Sequence, residues 1–127
     1  MVKFPSKEWC ETYQKLLNES EEYEAAATEW EGDMMYIIEG EGEDLPADEK
    51  VMLYLDLWHG KCREAGVVFD EGEKPDVAFK VRGPESVWKI INEGKEDPIK
   101  LIMTQRLSVE GDMNKIMRAG KAALPSA

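Results

Sequence analysis

Histidine is almost absent from this 127-residue chain: His59 stands alone, so a zinc site built on two histidines is excluded. Cysteine is nearly as scarce. Cys10 and Cys62 have neither metal-ligand spacing nor the number needed for a disulfide framework, and they read as free thiols in a reducing compartment, the cytoplasm. Long apolar runs are missing too, since stretches such as Met34–Ile38 fall far short of the ~20 residues of a membrane-spanning helix. The opening Met1–Ser6 carries no apolar signal-peptide core. Cations are in short supply, with 16 Lys and Arg against 27 Asp and Glu. The resulting net charge of −11 repels a phosphate backbone, which argues against nucleic acid as a partner. Catalytic signatures are lacking as well: no phosphate loop, no dinucleotide fingerprint and no Gly-x-Ser-x-Gly elbow occurs.

What is present is globular composition, 43% hydrophobic and 34% charged, in a length that suits one domain over residues 1–127. The charge is uneven. From Lys95 onward six cations face four anions, so the last quarter is the part an anionic group approaches most easily.

Ser6 caps an expected helix with Trp9, Tyr13, Leu16 and Leu17 on one face, and Tyr23, Ala26, Ala27 and Trp30 mark a second. Met34–Ile38 reads as a strand and the acidic Gly40–Asp48 as a loop. Val51, Leu53, Leu55 and Leu57 alternate through a second strand, and His59-Gly60 turns into a third reaching about Phe69. After an acidic turn, Val77, Phe79 and Val81 alternate in a fourth, and the short links favour an antiparallel meander. Pro84 opens a helix with Val87, Trp88, Ile90 and Ile91 that Gly94 closes, and Asp97-Pro98 opens another. Leu107–Val109 is a last short strand, expected to add in parallel, and Asp112 caps a last helix. Strands in a run followed by helices mean α+β: a five-stranded mixed, mostly antiparallel sheet, covered on one face by about five helices.

Catalysis has no obvious home. His59 is expected at a turn, and Cys62, three residues on, points to the opposite face of a strand, so a thiolate pair is not expected. Glu39, Glu41, Glu43 and Asp44 do not follow the spacing of a calcium loop and read as a solvated loop. No metal or cofactor is therefore expected. The distinctive material is apolar: seven methionines, three of them at Met103, Met113 and Met117, among Ile and Leu at helical spacing. Such stripes are core by default.

The stretch Ser86–Lys95 followed by Asp97-Pro98-Ile99 resembles the helix pair of sterol carrier protein two-like domains. Leu107–Asp112 is similar to that family's last strand, which ends in Gly-Asp before a methionine-bearing helix. The resemblance implies a non-catalytic carrier whose sheet and helices enclose a hydrophobic tunnel for a fatty acid, acyl-CoA, isoprenoid or sterol-like lipid. It implies a lining from Trp88, Ile91, Ile99, Ile102 and Met103, a lid from Met113, Ile116 and Met117, and a floor from Leu53 and Leu55. The chain's ending, Pro125-Ser126-Ala127, is not the Ser-Lys-Leu address of peroxisomal members. Lys115, Arg118 and Lys121 form a basic side on the last helix, which leaves room for transient membrane contact, as the apolar stripe does for a homodimer. The alternative is an interaction module of the same fold, with a filled core and no lipid.

Overall fold

A computed structural model describes residues 6–119. Helix α1 (Lys7–Glu19) begins where the Ser6 hydroxyl accepts the Trp9 amide, and α2 (Glu21–Ala26) where Ser20 accepts that of Tyr23. Strands β1 (Glu31–Glu39), β2 (Lys50–Trp58) and β3 (Lys61–Val68) follow, then a 3-10 turn at Glu71–Glu73 and β4 (Phe79–Pro84). Helices α3 (Glu85–Asn92) and α4 (Pro98–Met103), strand β5 (Ser108–Glu110) and helix α5 (Met113–Ala119) complete the order.

The five strands form one sheet in the order β3-β2-β1-β4-β5. The expected meander holds for β1 to β3 only. The chain then crosses from β3 over β2 and β1, and β4 pairs with β1 in parallel, Met34 opposite Phe79 and Ile38 opposite Gly83. The parallel expectation for the last strand is also corrected, because β5 runs antiparallel to β4. Short links therefore did not mean adjacent strands: the ten residues after Val68 span the sheet instead of turning back. Two smaller corrections have local causes. Trp30 lies beyond α2, which stops at Ala26, and its indole is held by the Gly32 carbonyl. Pro84 is the last residue of β4, extended at ψ 155°, so α3 starts one residue later.

The two sheet faces are covered differently. Met34, Tyr36 and Ile38 of β1, Leu53, Leu55 and Leu57 of β2, and Phe79 and Val81 of β4 point to the inner face, where buried residues of all five helices join them in one cluster. On the outer face, Met35, Ile37, Met52, Tyr54 and Val68 form a second cluster capped by Val77 of the crossover. The crossover is tied down by Asp33, whose carboxylate accepts both the Tyr54 hydroxyl and the Ala78 amide. A bulge at Asp56/Leu57 sets Leu57 opposite Cys62 and Leu55 opposite Ala65. Cys62 is thereby turned inward, onto the same side as Ala65 and Val67. Gln14 and Asn18 of α1 bind its backbone, which stitches the first helix to this edge.

Candidate functional site

The expected lining residues separate into two groups. Leu53 and Leu55 are fully buried on the inner face, and Trp88, Ile91, Ile102 and Ile116 belong to the same cluster, with Ile99 packed against it. Trp88 stands centrally: its ring lies 4.8 Å from that of Tyr36, and its indole N–H donates to the Ile37 carbonyl at 3.1 Å. Met103 and Met113, by contrast, are 68% and 40% exposed, and Met117 is half-buried. In this conformation the two exposed methionines lie on the outer side of α4 and α5. Helical spacing alone did not distinguish them from Ile102 and Ile116, their close neighbours in the pattern.

Local sequence explains why these helices sit where they do. Asp97 caps α4 by accepting the Ile99 amide, and Pro98 fills a first helical position that has no amide to satisfy. Glu85, only 2% exposed in the first turn of α3, accepts the amides of Asp44 and Leu45. With Glu41 on the Ser86 amide and Lys89 beside Asp44 at 2.5 Å, it straps the acidic loop to α3. Those acidic residues are thus structural, and no group of three or more metal-ligating side chains occurs among the described residues.

The basic side of α5 is partly occupied. The Lys115 ammonium lies 4.9 Å from the centre of the Trp30 ring and donates to the Glu31 carbonyl, which leaves it turned toward β1. Lys121 lies outside the described residues. His59 is also committed, its ring nitrogens 2.6 Å from Glu31 Oε2 and 2.7 Å from the Thr28 carbonyl. Cys62 faces the core and donates to the Glu64 carbonyl, so the two do not form a nucleophile–base pair.

One set of polar groups inside the core was not singled out by sequence reasoning. Tyr13, Tyr23, Tyr36, Cys10 and Cys62 are all buried in the inner cluster. Burial pushes the Cys10 thiol up to about 11 and the Cys62 thiol to about 12, and raises all three phenols above their ordinary value, with mutual repulsion adding to the phenols' shifts. All five are uncharged at neutral pH. A tyrosine at helical spacing reads as one more apolar residue in a pattern, so nothing in the sequence set these hydroxyls apart.

An α+β unit of this topology, with an apolar inner face, invites comparison with known proteins. The model of the SCP-2 sterol transfer family matches residues 12–123. The chain belongs to that family. The solution structure of a conserved hypothetical protein from Thermus thermophilus, described as a candidate sterol carrier protein, is 28% identical with a TM-score of 0.84. That match covers 97% of this chain and 84% of the other. A crystal structure of sterol carrier protein 2 is also 28% identical, with a TM-score of 0.80 over 98% of this chain and 100% of that one. A sec-alkylsulfatase from Pseudomonas sp. shares the fold at 17% identity and a TM-score of 0.52, over 78% of this chain and 14% of its own length. The SCP-2 fold thus also occurs as a small part of a larger enzyme. No curated protein matches the chain. No helix among the described residues is long and apolar enough to cross a membrane.

Proposed function

We propose that this SCP-2 family chain is a single lipid-binding domain over residues 1–127 that takes up a hydrophobic molecule without covalent chemistry and hands it on. The reading rests chiefly on one observation: the helix-covered inner face is apolar from both sides, with Leu53 and Leu55 below and Trp88, Ile91, Ile102 and Ile116 above. A tail threaded between these layers gains about 0.8 kcal/mol per buried CH₂, enough for tight binding without a charged contact. Helix α5 is the natural cover, because Ile116 is its one fully buried side chain among the described residues while Met113 is exposed and Met117 half-buried. Flexible methionines at the rim of such a cover adapt to guests of varied shape. Fatty acids, acyl-CoA, isoprenoids and sterol-like lipids are the cargo classes, and the two free buried thiols favour a reducing setting such as the cytoplasm.

Native mass spectrometry of freshly purified protein, followed by solvent extraction, tests the reading. A stoichiometric lipid, or saturable uptake of an added one, is expected. Ile102→Trp places a larger ring between α4 and the sheet, and it should abolish uptake while the protein remains folded by circular dichroism. Undiminished uptake in that folded variant overturns the placement of the site. Absence of any apolar ligand, with a stable dimer by sedimentation, would instead favour the interaction module, with the exposed Met103 and Met113 as its contacts.

A further inference from the structure

Tyr23, on α2, is 7% exposed, and its hydroxyl is the one buried side-chain nitrogen or oxygen among the described residues with no hydrogen-bond partner. An O–H removed from water and left unpaired costs stability, so native proteins keep very few. The neighbours make the position distinctive. Tyr23 shares its buried cluster with Tyr36 and Trp88, whose rings lie 4.8 Å apart, so the uncommitted hydroxyl belongs to the interior that includes the apolar wall of α3. No lysine or arginine among the described residues is buried, and the buried charged side chain, Glu85, is already bonded to the loop amides. An anionic head group brought to this place would meet no counter-charge, and an uncharged oxygen would meet a donor without a partner.

We infer that the Tyr23 hydroxyl is the interior anchor for the head of the bound molecule, and that it selects an uncharged hydroxyl or carbonyl oxygen over a carboxylate. This deepens the carrier reading and rests on it. The tail then lies against Tyr36 and Trp88, and the head is bound through one hydrogen bond donated by, or accepted at, the phenol.

Displacement of the neutral dye Nile red by 1-dodecanol, dodecanoate and dodecane, from the wild type and from Tyr23→Phe, tests the inference. The wild type should bind dodecanol about fivefold to tenfold more tightly than either dodecane or dodecanoate, the worth of one buried hydrogen bond. Tyr23→Phe should erase the advantage of the alcohol over dodecane and leave dodecane unchanged. The ligand-free variant should melt no lower than wild type, since the deleted oxygen has no partner to lose. Equal dodecanol affinity in the two proteins, a preference for dodecanoate, or a clear drop in melting temperature each overturns the anchor while sparing the apolar site. Failure of all three probes to bind removes the carrier reading and the anchor together.

Discussion

Glu71 shows how much a single side chain can organise on the outer face. Its carboxylate lies 2.8 Å from Lys50, 3.2 Å from Lys80 and 3.2 Å from Arg82, joining β2 and β4 to the crossover. These three cations hold its pKa down at about 2, with the Lys50 hydrogen bond the largest cause. A lowered folded-state value stabilises above the ordinary carboxylate range, and that contribution fades as the pH falls from about 4.5 toward 2. Because the group is partly solvated, the effect is discounted to about 1 kcal/mol. Glu71→Gln should therefore lower stability to urea by about that amount at pH 7, and the two proteins should converge near pH 2. The buried thiols give a second residue-scale prediction. With Cys10 at about 11 and Cys62 at about 12, native protein should resist iodoacetamide at pH 8 and label at both sites only when unfolded. Neither shift was legible in the sequence, because each depends on which strands and helices come to lie against the group.

Among the elements, those with explicit start and stop chemistry were the most legible. Ser6, Asp97-Pro98 and Gly94 marked ends of α1, α4 and α3 through an accepted amide, a missing amide and a φ of +72°. Removing the Asp97 cap by Asp97→Ala should lower the thermal midpoint, by an amount matching about 1 kcal/mol. Gly111 joins two elements where there is no room for a side chain. It sits between β5 and α5 at φ +129°, and a Cβ there would lie 2.7 Å from the Ala78 carbonyl oxygen and 2.5 Å from the Phe79 ring. Gly111→Ala should cost about 2 kcal/mol or more by chemical denaturation, from the crowding and the strained dihedral together. What the sequence did not reveal at this scale was the β3 bulge. Period-two reasoning assumes an unbroken strand, and the extra residue at Arg63 reverses the side on which Cys62 emerges.

At the scale of the molecule, the α+β class and the five strands with helices on one face were readable from the order of periodic segments, but strand order was not. The pairing of β4 with β1 is a long-range choice, and Phe79 and Val81 alternate identically whichever neighbour they meet. The burial of the proposed lining was half-legible for a similar reason: helical spacing grouped Ile102 and Ile116, which are buried, with Met103 and Met113, which are exposed. Net charge yields a prediction at this scale. On the proposed carrier reading, a net charge of −11 should make delivery to zwitterionic vesicles faster than to vesicles rich in phosphatidylserine at low ionic strength, with the gap closing above about 0.5 M salt. A preference for the anionic vesicles would point instead to the basic side of α5. The crossover from β3 to β4 also bears on biosynthesis. As the chain leaves the ribosome, the β1–β2–β3 meander can close early, while the other edge of β1 waits unpaired until residues 79–84 emerge. During that interval Met34–Ile38 is a sticky, unguarded ribbon, so nascent chains stalled before β4 are the form most prone to aggregate and most in need of a chaperone.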